Sequence, residues 1–172
     1  MFHNIRKVVL YLLSDAFTEM LLITGSIIAS VPLPLTAIQI LWINILSDGF
    51  PDFALAVEPK EYNVMHSQPR PKGSPIVDGQ IKLMTGSLSI AKALIAFVVY
   101  LTLLTSPSDG VYAQTMAFAI VGTGSLIYVF STRNLSRFIF RDRITKNPWL
   151  IEAVFLGFLL QLLVTRHLLF LN

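Results

Sequence analysis

The feature that most constrains this chain is a series of long apolar stretches almost free of charge. Runs such as VFLGFLLQLLV and KALIAFVVYLTLL are continuous, with no alternation of polarity. A helix rises about 1.5 Å per residue, so about 20 such residues cross a hydrocarbon core about 30 Å thick. Five stretches reach that length, at about 8–30, 34–57, 80–105, 112–131 and 149–171. In lipid only helices and closed barrels satisfy every backbone group, and barrels are built from short alternating segments. The expectation is therefore an all-α membrane protein with about five transmembrane helices. The first stretch does not read as a secretory signal. It is too long, carries Asp15 and Glu19, and lacks a small-residue cleavage site after a clean apolar core.

Composition agrees. Apolar residues make up 54% of the 172 and charged residues 13%, against about 25% charged in an average soluble domain. With no cysteine, disulfide scaffolds, thiolate zinc sites, iron–sulfur clusters and thiol catalysis are all excluded. The net charge of +3 would suggest nucleic acid only if the basic residues shared a folded face. They flank the apolar stretches instead. Eleven of the 13 basic residues fall on one side: Arg6, Lys7, Lys60, Arg70, Lys72, Lys82, Arg133, Arg137, Arg141, Arg143 and Lys146. The opposite loops, SVPLP and SPSDG, hold none, and only Arg166 lies near that side. Basic residues collect in the cytoplasm, which places the N-terminus and both long loops inside. The expected surroundings are membrane lipid, with no nucleic-acid partner.

An ionisable group at membrane depth costs at least about 2.5–3.5 kcal/mol on insertion scales, so each one needs a reason. The first two stretches hold Asp15, Glu19, Asp48 and Asp52 and are joined by the short turn SVPLP, which makes them antiparallel neighbours. Asp15 and Glu19 are four apart and share a helix face, as do Asn44 and Asp48. Glu19 lies about eleven residues from the outer end of its stretch and Asn44 about ten from the outer end of its own. The two sets can therefore meet near mid-membrane. Glu19, Asn44, Ser47 and Asp48 offer oxygen ligands and no soft donors, the chemistry of hard cations. Pro51 has no amide to donate and crowds the carbonyl of Ser47, and Gly49 leaves the backbone permissive. A helix broken at Asp48-Gly49-Phe50-Pro51 would free carbonyls beside a carboxylate, the build of a midplane ion site. The alternative is that these polar groups only bond to one another and lock the bundle. Lys92 either neutralises one acid or snorkels to the interface.

The run IQILWINILSDGFPDFALAVEP, preceded by NIRKVVLYLLSDAFTEMLL, resembles the fifth and sixth membrane helices of P-type cation-transporting ATPases, the calcium-pump-like subfamily in particular. AQTMAFAIVGTGSLIYVFSTRN resembles the eighth helix and KNPWLIEAVFLGFLLQLLV the ninth. The resemblance covers essentially the whole chain and is tightest at LWINILSDGFP. It implies helices five to nine of such a pump, over residues 1–172, as a carboxy-terminal transport domain. It places Glu19 at the fifth helix's ion-binding glutamate, and Asn44, Ser47 and Asp48 at the sixth helix's asparagine, threonine and aspartate. Two positions depart from the pattern. Ala16 stands where the fifth helix has an asparagine and Ser125 where the eighth has a glutamate, and both belong to one of two calcium sites. A single site, or another cation, is the expectation.

The family's phosphorylated-aspartate motif DKTGT and any glycine-rich phosphate loop are missing from these residues. No catalytic residue and no resident cofactor is assigned to them. The resemblance implies ATP and magnesium only in further domains, with calcium the expected cargo and the remaining pump domains and helices the expected partners. Met1 falls within what resembles the pumps' stalk, which suggests a piece of a longer chain. Two other readings stand beside the pump. One is a stand-alone polytopic transporter or regulatory subunit that uses the same carboxylates with protons. The other is a non-functional truncation.

Other features carry less. His3, His66 and His167 lack ligand spacing. Gly122, Gly124 and Ser125 fall inside a span and read as small residues for close helix packing. Trp42 reads as packing, Trp149 as an interfacial anchor, and SQPRPKGSP as an extended cytosolic connector.

Overall fold

The computed structural model describes residues 2–57, 79–104, 110–132 and 147–170. Among them all regular structure is helical: α1 (Phe2–Ile28), α2 (Ala37–Trp42), a π-helical segment (Ile43–Asp48), α3 (Gly49–Ala56), α4 (Gly79–Leu103), α5 (Gly110–Thr132) and α6 (Pro148–Phe170). Four of these helices are long and apolar enough to cross a membrane: α1, α4, α5 and α6. The second expected span is present as one continuous helical run from Ala37 to Ala56, wound in three pieces. At about 1.5 Å per residue that run is also about 30 Å long.

The distribution of side chains is that of a molecule whose solvent is lipid. Asp15 and Asp48 are fully buried while Ile28 and Ile38 are each 79% exposed. The helices pack in chain order, α1 on α4, α4 on α5 and α5 on α6, and the three-piece run lies among α1, α5 and α6. One apolar cluster joins Leu22, Leu35, Ile43, Ala96, Phe118 and Val121, with Trp42 packed against it. A second joins Tyr11, Leu55, Tyr128, Val129 and Leu150. Between α1 and α4 runs a polar seam. The Ser14 and Ser89 hydroxyls lie 3.2 Å apart, and Thr18 donates to the Ser14 carbonyl at 2.8 Å. Small hydroxyl residues let two helices approach closely in lipid. The same holds for α5 and α6, where a Cβ on Gly122 would stand 2.6 Å from the Gln161 amide nitrogen. The expected close packing at Gly122 is thus present.

Element ends follow local chemistry. Helix α1 closes with Ser30 in the left-handed region at φ 54°. The Val31 amide bonds to the Ser26 carbonyl at 3.0 Å and the Ser30 amide to the Ile27 carbonyl at 3.1 Å, the pairing of a Schellman motif. Tyr100 of α4 donates to the Pro32 carbonyl at 2.8 Å and Gln114 of α5 to that of Leu33 at 2.7 Å, pinning the turn. Thr36 and Gln39 form a capping box, so the second run starts at Ala37, not at Pro34 as expected. At its other end the Ala54 and Ala56 carbonyls, which have no intrahelical donor, accept from Asn147 at 2.9 Å and Asn4 at 3.0 Å. Helix α1 also begins earlier than expected, and Arg6 and Lys7, placed before the span by sequence, are buried within it. The long basic loops, SPSDG up to its closing Gly110, the proline-rich connector and His66 lie outside the described residues.

Candidate functional site

Tyr11, Asp15 and Glu19 follow one another at intervals of four along α1 and line a single face. That face meets the π-helical segment. A π-helix bonds each amide to the carbonyl five residues back, so it carries one more residue per widened turn and displaces side chains from their α-helical register. The segment ends at Asp48, three residues before Pro51. Pro51 cannot donate to Ser47, and the freed Ser47 carbonyl instead accepts from the Tyr11 hydroxyl at 3.0 Å. This differs from the broken helix expected at Gly49-Pro51. The chain stays helical through Gly49, because the widened turn upstream and a hydroxyl from α1 accommodate the lost bond. Tyr11 had no role in the sequence reading. Its interval of four from Asp15 was the available signal.

The four candidate ligands converge in part. The Asn44 amide nitrogen points at both Glu19 carboxylate oxygens, at 3.4 and 3.5 Å, and donates to the Ile40 carbonyl at 3.0 Å. Ser47 and Asp48 are buried, at 1% and 0% exposure. The Ser47 hydroxyl and both Asp48 carboxylate oxygens have no hydrogen-bond partner among the described residues. Buried polar groups are bonded in the great majority of cases, and a bare carboxylate is the most costly exception. Asp52, a turn further on, is half-buried with its Oδ1 also unpartnered.

Asp15 is fully buried and is claimed by a different helix. Its Oδ1 is paired with the Lys92 ammonium of α4 and accepts from the Ser125 hydroxyl of α5 at 2.9 Å. Lys92 Nζ also lies 2.9 Å from Ser125 Oγ and 5.5 Å from the centre of the Tyr128 ring. Lys92 therefore neutralises an acid and does not snorkel. Both Glu19 and Asp48 stand within electrostatic reach of Asp15 and Lys92, so the charged groups of α1, α4 and the π segment form one layer. Among the described residues no group of three or more histidine, cysteine, aspartate and glutamate side chains is close enough to hold a metal by itself. A cation here would depend on amide, hydroxyl and carbonyl oxygens besides the carboxylates.

Residues 32–168 match the family model described as cation transporting ATPase, C-terminus. The chain is 35% identical over 169 residues to a calcium-transporting ATPase of Bacillus subtilis, covering 96% of this chain and 19% of that protein. It is 31% identical over 166 residues to the calcium-transporting ATPase type 2C member 2 of Mus musculus, covering 95% and 17%. A P-type sodium-transporting ATPase of Toxoplasma gondii is 45% identical over 76 residues, covering 44% of this chain and 6% of that one. The chain spans about a fifth of the length of the curated relatives it matches.

Proposed function

Since the chain belongs to the cation-transporting ATPase C-terminal family, we propose that it forms the ion-binding and translocation part of an ATP-driven pump, with Glu19, Asn44, Ser47 and Asp48 as ligands of the transported cation. The observation that carries this reading is the Asp48 carboxyl group, wholly buried with neither oxygen hydrogen-bonded among the described residues. A buried carboxyl left without a partner is a group that a mobile cation can ligate. Calcium is the proposed cargo, because the ligands are all oxygen and relatives from Bacillus subtilis and Mus musculus, matched over 96% and 95% of this chain, are named for calcium. The four side chains supply about four to six oxygens, and calcium takes six to eight. Water, backbone carbonyls near the π segment or a further helix of the pump complete the shell. Asn44 now presents its amide nitrogen to Glu19; with a cation between them the amide turns over to offer its oxygen.

The remaining pump domains supply ATP hydrolysis, phosphorylation and magnesium, and membrane lipid covers the apolar faces, with the N-terminus cytoplasmic. A sodium cargo is the second reading, favoured by the sodium-transporting relative at 45% identity over 76 residues. The test is cation-dependent phosphorylation of the full-length protein. Asp48→Asn keeps shape and removes charge, and should abolish the calcium-dependent signal, with Asp52→Asn reducing it far less. The reverse order would place the site a turn away from Asp48, and a signal that follows sodium and ignores calcium would favour the second cargo.

A further inference from the structure

The charged layer contains a cation of its own. Lys92 lies on α4, yet its ammonium is held from three sides: the Asp15 carboxylate of α1, the Ser125 hydroxyl of α5 and the face of the Tyr128 ring. Its side chain is 13% exposed and Asp15 is 0% exposed. Ser125 bonds both members of the pair, with Oγ 2.9 Å from each. One turn along α1 from Asp15, Glu19 meets the Asn44 amide, and Asp48 lies beside the Asp15 carboxyl with neither of its own oxygens hydrogen-bonded among the described residues. So the acids divide. The Asp15 charge is offset by a tethered ammonium on its Oδ1, its Oδ2 having no partner among the described residues, whereas Glu19 and Asp48 form no ion pair among those residues.

Resting on the function proposed above, we infer that Lys92 is a resident cation that offsets the charge of Asp15 within the layer and so limits the layer to one divalent ion. Fully ionised, Asp15, Glu19, Asp48 and Lys92 sum to two negative charges, the charge of a single divalent cation. Asp52 lies a turn beyond and is half-buried. A second cation beside Asp15 would face the positive charge of the ammonium, and opposite charge in a low-dielectric layer holds the Asp15–Lys92 pair together strongly. The inference differs from a simple structural bridge in one respect: it states what the mobile ion experiences. A free Asp15 carboxylate would attract that ion and serve as a ligand. A lone Lys92 ammonium would repel it. The pair together is close to neutral.

The test is equilibrium binding of calcium-45 to the purified full-length protein that carries this chain. Wild type should bind one calcium at saturation. The double variant Asp15→Asn/Lys92→Met removes both charges of the pair at once, leaves neither member without its counter-charge, and should bind calcium within threefold of wild type. Lys92→Met alone frees a carboxylate beside the site and should tighten binding at least tenfold. Loss of more than tenfold in the double variant would show that Asp15 is itself a ligand and overturn the inference, even if neither single variant could be purified. Two calcium ions bound by wild type would overturn it as well. Failure of the underlying function reads out separately: in that case Asp48→Asn binds calcium like wild type, whatever the Asp15 and Lys92 variants do.

Discussion

At the scale of single residues, the outcome turns on which polar atoms find partners within the bundle. Tyr11 shows how far one hydroxyl reaches. Its bond to the Ser47 carbonyl, at 3.0 Å and fully buried, replaces the donor that Pro51 lacks. Tyr11→Phe keeps the ring and its 6.0 Å stack on Tyr128 but strands a buried carbonyl, which costs about 1–3 kcal/mol. Thermal unfolding in detergent should show a clear fall for Tyr11→Phe. Tyr128→Phe should fall less, because the Tyr128 hydroxyl has no hydrogen-bond partner among the described residues. Equal losses would mean that the Ser47 carbonyl does not depend on Tyr11. The Asp15–Lys92 pair belongs to the same scale, since breaking a buried pair on one side only leaves an uncompensated charge.

At the scale of elements, the decisive feature is the change of winding between Ile43 and Asp48, and the turn that precedes it. Ser30 adopts φ 54° at the closing position of α1, where a side chain costs roughly 1–2 kcal/mol and glycine is nearly free of strain. Ser30→Gly should therefore raise the unfolding midpoint in detergent, and a fall would show that the serine makes a compensating contact. Much of the helical architecture was legible in sequence. The apolar runs place α4, α5 and α6 within two residues of their observed bounds, because in lipid length and hydropathy leave little choice. The Glu19–Asn44 approach was legible too, from four-residue spacing and matched depth across a short turn. The π segment was not. Its cause is a missing amide at Pro51 joined to a hydroxyl from another helix, and periodicity carries no sign of a partner 36 residues away. The Lys92–Asp15 pair, 77 residues apart, escaped for a related reason. The long connector between those helices transmits no register, so sequence could offer only two fates for the lysine.

At the scale of the whole molecule, the bundle is a lipid-facing shell around a thin charged layer, and orientation decides which side feeds that layer. The basic asymmetry predicts that cysteines introduced singly at Ser67 and Ser108 label from opposite sides of sealed vesicles, Ser67 from the cytoplasmic one. Labelling of both from one side would contradict the topology. These 172 residues hold no phosphate-handling motif, so purified alone they should hydrolyse no ATP above a blank. Vanadate-sensitive turnover in a clean preparation would contradict that division of labour. The central claim concerns where the mobile cation sits, and anomalous scattering from crystals of the full-length protein grown with calcium locates it directly. One peak is expected, about 2.3–2.6 Å from carboxylate oxygens of both Glu19 and Asp48, with Lys92 still on Asp15. A peak coordinated by Asp15 in place of the ammonium, or none between Glu19 and Asp48 at saturating calcium, would contradict the account.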